Sequence, residues 1–145
     1  MKKKILIVIA EYYSNIASRL EVAAKITLDR DCVESIKYKV IKVPGVFEIP
    51  VVISKNIKKF DGCIALGCVI KGETPQFDYI SKTSIDAIMK LSIENKKPIG
   101  NGILTCLNIS QAAARSEEEI EKKNKGREAA RAVLYVLGIL KHESK

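Results

Sequence analysis

Eight consecutive residues, Cys63 to Ile70 (CIALGCVI), carry no charged or strongly polar side chain. A run this short and this apolar fits a strand covered on both faces, the position of a central strand in a parallel sheet. The remaining sequence must then supply neighbouring strands and two layers of helices. Ile5 to Ala10 reads as a second buried strand and Ile99 to Leu107 as a fourth strand in chain order. Between them Ile36, Tyr38 and Val40 alternate with Lys37 and Lys39, as in a strand with one wetter face.

Helical spacing fills the intervals. Ser14 or Asn15 can cap a helix carrying Ile16, Leu20, Ala23, Ala24 and Leu28 on one stripe. Pro44-Gly45 breaks the second strand, and Pro50 suits the first turn of a short helix through Ile57. Thr74-Pro75 reads as N-cap and first helical position of a helix with Ile80, Ala87, Ile88 and Leu91 inward. Asn108 and Gln111 have the spacing of a capping box. After a charged stretch, Glu117 to Lys125, a last helix places Ala130, Val133, Leu137 and Leu140 on one stripe. The order β-α-β-α-β-α-β-α predicts one α/β domain over residues 1–145 with a four-stranded parallel sheet and right-handed crossovers.

Composition narrows the function. The net charge of +8 raises nucleic acid as a partner, but the cations are mostly scattered lysine and no RNA-binding motif with interleaved aromatics accompanies them. A solvated basic surface that attracts small anions is the reading preferred here. The basic start, Met1-Lys2-Lys3-Lys4, precedes only a short apolar run with no cleavage site, so a first strand is expected rather than a leader. No apolar run is long enough to span a membrane. Cys32, Cys63, Cys68 and Cys106 form no CxxC pair, and the one histidine, His142, lies in a polar tail, so no zinc site is expected. Cys63 and Cys68 read as small core side chains on opposite faces of one strand, in a reducing, cytoplasmic setting.

Sites in such folds lie beyond the carboxyl ends of the strands. Four stretches converge there: Glu11-Tyr12-Tyr13, Pro44 to Glu48, Cys68 to Gln76, and the turn after Thr105. Gly72-Glu73-Thr74 opens a helix whose free N–H groups suit a phosphate, although an ordinary capped helix start explains the triplet equally well. Arg115 offers a planar fork for the same anion or is a solvated surface residue, and Lys125 is a second cation nearby. Glu48 suits a polyol or the dipole of the following helix; Tyr12 suits stacking on a ring or simple packing. No GxxxxGK[ST] loop is present, which argues against nucleoside triphosphates.

The stretches VPGVFEIP, ALGCVIKGETPQFDYI, PIGNGILTCLNISQAAAR and NKGREAA together resemble the 6,7-dimethyl-8-ribityllumazine synthase family of riboflavin biosynthesis, across nearly the whole chain. The resemblance implies a flavodoxin-like three-layer sandwich. It implies condensation of 5-amino-6-(D-ribitylamino)uracil with 3,4-dihydroxy-2-butanone 4-phosphate, without cofactor or metal. Tyr12 takes the position of the aromatic that stacks on the pyrimidine. Val46, Phe47 and Glu48 match the segment that binds the ribitylamino-uracil, and Cys68, Val69 and Ile70 the strand end lining the same pocket. Glu73 and Thr74 match the phosphate loop, Arg115 its cationic partner, and Lys125 a lysine close to the site. The family's acid–base histidine falls on Gln76, and an aromatic supplied by a neighbouring subunit falls on Asn101. An amide does not titrate, so Gln76 can orient a carbonyl or a water but not shuttle a proton. Also implied is a homo-oligomer, a pentamer or a multiple of it, with sites between subunits. The acidic Ser116–Asn124 segment predicts a pentamer or at most a decamer rather than a shell. No nucleic-acid or membrane partner is expected. The rival readings are a homologue that binds flavin or lumazine without turnover and an assembly-forming protein without catalysis.

Overall fold

In the computed structural model, which describes residues 2–119 and 121–142, the apolar runs pair as one all-parallel sheet. β1 (Lys4–Ala10) lies between β2 (Lys37–Val43) and β3 (Gly62–Ile70), and β4 (Ile99–Cys106) forms the far edge, giving the order β2-β1-β3-β4. Val8 stands opposite Ile41 on one side and Ala65 on the other, and Cys68 stands opposite Leu104.

The uninterrupted apolar run of β3 follows from what covers it. Ile64, Leu66 and Cys68 pack in a core shared with α1 (Ser14–Arg30) and α5 (Lys125–Val136). Cys63 and Ala65 face the other layer, with Ile49 and Ile53 of α2 (Ile49–Asn56) and Ile88 of α3 (Gln76–Asn95). The two cysteines therefore point to opposite faces, as their odd spacing requires. The six residues Ile5 to Ala10 are each no more than 2% exposed; burial of each large aliphatic contributes roughly 1.5–3 kcal/mol. α1 and α5 approach closely because Gly126 has no Cβ to meet the Leu20 carbonyl.

Helix ends depart from the sequence reading in three places. α1 begins at Ser14, but neither Ser14 nor Asn15 caps it; Tyr13 occupies the cap position without a side-chain bond, and its carbonyl accepts the Ala17 N–H at 2.9 Å. α3 begins at Gln76, with Pro75 at the cap and no side-chain cap bond, and the Pro75 carbonyl receives the Asp78 N–H at 3.1 Å. α5 stops at Val136, so Leu137 and Leu140 are not on its stripe. Gly138 takes φ +75°, and its N–H and that of Ile139 bond back to the Tyr135 and Leu134 carbonyls, each at 3.0 Å. This left-handed stop turns the chain so that Leu140 bridges antiparallel to Cys32.

Other local signals hold. Pro50 lies in the first turn of α2. Asn108 Oδ1 accepts the Gln111 N–H at 2.9 Å and opens the short helix α4 (Ile109–Ala114). Gln111 Oε1 accepts the Leu107 N–H at 2.8 Å, so β4 ends at Cys106, one residue earlier than its apolar pattern. At the two ends of the charged stretch, Ser116 and Asn124 form an antiparallel bridge. Asn124, 1% exposed, caps α5 by accepting the Gly126 and Arg127 N–H groups. No helix among the described residues is long and apolar enough to cross a membrane.

Candidate functional site

β1 sends its connection to β2 on one side, while β3 sends its connection to β4 on the other. The chain parts at this switch point, where α/β sheets bind ligands. The parting is a cleft of about 570 Å³, built by four separated segments.

The first segment is the end of β1. Tyr12 and Tyr13 stand over the cleft with ring centroids 5.0 Å apart and planes tilted by 33°. Tyr12 is 72% exposed, whereas Tyr13 leans on the α1–α5 core. The Tyr13 phenol is held above its ordinary pKa by burial, then by its neighbours Tyr12 and Cys68.

The second segment follows β2. Pro44-Gly45 ends the strand, and Val46–Glu48 makes one 3-10 turn that leads straight into α2. Glu48 Oε1 accepts the Gly45 N–H at 2.9 Å, fixing the carboxylate at the cleft wall. Val46 is buried and Phe47 stands out at the rim. The turn can settle onto β3 because Gly67 lacks a side chain: a Cβ there would lie 2.9 Å from Val46 Cγ2.

The third segment, Cys68-Val69-Ile70, forms the floor. Burial pushes the Cys68 thiol up to about 12, with Cys106 on β4 adding to the shift. The Cys106 thiol is also raised by burial and is partly offset by the Arg115 guanidinium. Arg115, just after α4, is near enough to Cys106 at the end of β4 for its charge to be felt there. Its Nη1 donates to the Gln111 carbonyl at 3.1 Å, which folds the guanidinium back along α4.

The fourth segment is the loop into α3. Gly72, Thr74, Gln76, Phe77 and Ile80 line the cleft. The Lys71 N–H bonds the Cys106 carbonyl at 2.9 Å, and the next three amides take no backbone partner among the described residues. The first turn of a 20-residue helix supplies Gln76 and Phe77 to the same opening, and a helix start attracts anions.

Of the residues singled out in the sequence, the cleft gathers Tyr12, Val46, Phe47, Glu48, Cys68, Val69, Ile70, Thr74 and Gln76. Four others stand outside its wall. Glu73 is exposed between two lining residues. Arg115 is not among the lining residues, and Lys125 is tied to it through its N–H on the Arg115 carbonyl at 2.9 Å. Asn101 is opposite Ala65, well before the end of the edge strand β4, and its Oδ1 accepts the Ile103 N–H at 3.0 Å. Tyr13, Gly45 and Phe77 line the cleft without having been singled out as binding residues. The signal was present in the neighbouring aromatics: Tyr13 follows Tyr12, and Phe77 opens the helix beside Gln76.

Chemically, the cleft offers aromatic faces, one anchored carboxylate and the start of a long helix. Gln76 is an amide among them, without a titratable proton.

The chain matches the family model for 6,7-dimethyl-8-ribityllumazine synthase over residues 2–141. It is 42% identical to the 6,7-dimethyl-8-ribityllumazine synthase of Bartonella henselae over 144 residues, 97% of this chain and 90% of the relative. It is 41% identical to that of Agrobacterium fabrum, covering 97% and 96% of the two chains, and 38% identical to that of Beijerinckia indica, covering 90% and 72%. The match runs through all four segments of the cleft and nearly the full sheet, so the chain belongs to the 6,7-dimethyl-8-ribityllumazine synthase family.

Proposed function

We propose that the cleft above β1 and β3 is where this lumazine synthase of riboflavin biosynthesis joins 5-amino-6-(D-ribitylamino)uracil to 3,4-dihydroxy-2-butanone 4-phosphate. The observation that carries the reading is convergence: Tyr12, Val46 to Glu48, Cys68 to Ile70 and Thr74 to Gln76 meet around one opening although the sequence separates them. The pyrimidine stacks on Tyr12, and Glu48 receives hydrogen bonds from the ribityl chain with the oxygen that Gly45 does not use. The phosphate rests on the free amides of residues 72–74, with Arg115 swinging from the Gln111 carbonyl to meet it and Lys125 close behind.

The amine attacks the ketone and loses water to give an imine. Phosphate is then eliminated, and the resulting enol closes onto the second nitrogen with loss of a second water. Holding both substrates in register lowers the barrier by several kcal/mol. Gln76 orients a water or carbonyl, and the leaving phosphate, Lys125 or bound water carries the protons, so the reaction runs more slowly than with a histidine. The absence of a titrating group at Gln76 also favours a second reading, a homologue that holds lumazine or flavin without turnover.

The whole chain, residues 1–145, acts as one domain in the cytoplasm and assembles as a pentamer or decamer with sites between subunits. Exposed Tyr79, Met89 and Ile93 on α3, and Tyr135 and Val136 at the end of α5, supply apolar surface for that contact. Asn101, on the open edge of β4, would reach a neighbour's site. Titrating each substrate separately tests the binding assignments. Tyr12→Ala should weaken the ribitylamino-uracil and leave the butanone phosphate unchanged; equal binding of the uracil to both proteins contradicts the site.

A further inference from the structure

Lysines that the sequence scatters are gathered by the fold. In an all-parallel sheet every strand starts at the same edge, and here each start is basic. Lys2 and Lys4 lead into β1, Lys37 opens β2, Lys58 and Lys59 precede β3, and Lys96 precedes β4. The register sets these starts side by side: Lys4 stands opposite Lys37, Ile5 opposite Gly62, and Cys63 opposite Ile99. Neighbouring strands lie about 4.8 Å apart, so the row spans roughly 15 Å. All six lysines are exposed, and none has an ion-pair partner among the described residues. Lys97 beside them is already engaged, its Nζ donating to the Ile57 carbonyl at 3.0 Å. The carboxylate within the row, Asp61, accepts the Lys4 N–H at 2.8 Å. A net positive edge is left at the end of the sheet opposite the cleft.

We infer that this edge binds the phosphate backbone of duplex nucleic acid, without regard to sequence. The scattering of lysines along the chain argued against such a partner, and the parallel topology removes that objection here. Roughly 15 Å of duplex carries about nine phosphate charges, counting both strands, enough to engage the whole row. Lysine meets phosphate as a point charge, and phosphate contacts carry no sequence information. A single strand is held by aromatic rings on which its bases stack, and the strand starts expose one aromatic, Tyr38. A protein partner needs an apolar centre, whereas Phe60 within the row packs into the core. The edge lies far from the cleft, so this role is separate from lumazine formation.

The test follows the anisotropy of a labelled duplex of about 20 base pairs with the purified protein, at about 50 and 200 mM salt. A second duplex of unrelated sequence should bind equally well. Affinity should fall about 10²-fold between the two salts, as for about four neutralised phosphates. Replacing Lys2→Gln, Lys37→Gln and Lys58→Gln together should flatten the salt slope by about three and weaken binding at the lower salt about tenfold or more, with thermal unfolding unchanged. Lys25→Gln, Lys82→Gln and Lys123→Gln together remove the same charge elsewhere and should change neither. Equal weakening by the two triple variants, or no binding by the wild type at the lower salt, overturns the inference. Poly-glutamate or phosphatidylserine vesicles bound as tightly as the duplex would overturn it too, since the edge would then be a general anion surface.

Discussion

Glu48 is anchored by the residue that begins its own turn: Oε1 accepts the Gly45 N–H at 2.9 Å, three positions back in the chain. One carboxylate oxygen shapes the turn, and the other is the one proposed to meet the ribityl chain. Glu48→Gln keeps an oxygen for Gly45, so it should unfold within about 0.5 kcal/mol of the wild type while binding the ribitylamino-uracil more weakly, as a charge-assisted contact becomes neutral. Glu48→Ala loses both, and the turn should cost about 1 kcal/mol, as for a lost helix cap. Thermal unfolding and substrate titration of the two variants separate the roles.

Gly67 controls how deeply that turn sits. A Cβ there would lie 2.9 Å from Val46 Cγ2 and 3.0 Å from Ala10 Cβ, which is overpacking on both sides. Gly67→Ala should destabilise the protein by about 1–3 kcal/mol and raise KM for the ribitylamino-uracil as Val46 is displaced. Gly72→Ala, where a Cβ meets nothing within 4 Å, should unfold like the wild type. Urea unfolding of the pair distinguishes the packed glycine from the open one.

Two buried thiols make the fold sensitive to alkali. Burial pushes Cys63 and Cys68 up to about 12, against about 8.5 in an unfolded chain. Below pH 8.5 both thiols stay protonated in both states and their contribution to stability is complete. Above it the unfolded state releases protons that the folded state keeps, so stability falls by about 1.4 kcal/mol per pH unit for each thiol. The loss continues until pH reaches about 12, the folded value. Denaturant unfolding between pH 8 and 10.5 should show this decline, and Cys63→Ala should show a shallower one. An unchanged slope in that variant would assign the alkaline loss to other groups.

Arg115 lies outside the cleft lining with its guanidinium on the Gln111 carbonyl, so the proposed phosphate contact requires it to exchange that partner. Arg115→Ala should weaken the butanone phosphate by tenfold or more, about the worth of one charge-assisted bond, and leave the ribitylamino-uracil nearly unchanged. Arg115→Lys should recover only part, having lost the fork. Equal weakening of both substrates would point to a disturbed β4–α4 junction instead.

The sheet was legible because its signals are long and redundant. The apolar run of β3 demanded cover on both faces, and Cys63 and Cys68 found it in opposite layers. Helix ends were less legible, since they depend on single bonds. Thr74-Pro75 has the sequence of a cap, but the Pro75 carbonyl, not the Thr74 hydroxyl, holds the first turn. Gly138 stops α5 before Leu140, although the apolar spacing continues through it. Site residues divided in the same way. Tyr12, Glu48 and Gln76, at strand ends and the α3 entry, line one cleft as the topology leads one to expect. Arg115 and Asn101 depend on where a long side chain turns or what lies beyond a strand edge, which periodicity does not encode.

Gln76 bears on the central claim, that this cleft carries out the condensation without a histidine. Mixing both substrates with purified protein and following lumazine absorbance against the uncatalysed background addresses it directly, with Gln76→His measured alongside. The wild type should exceed background and saturate in both substrates. The histidine variant should raise kcat by up to about 10²-fold, the low end for general acid–base catalysis, with little change in either KM. A folded wild type that binds both substrates yet forms lumazine no faster than background would contradict the claim and leave binding without turnover.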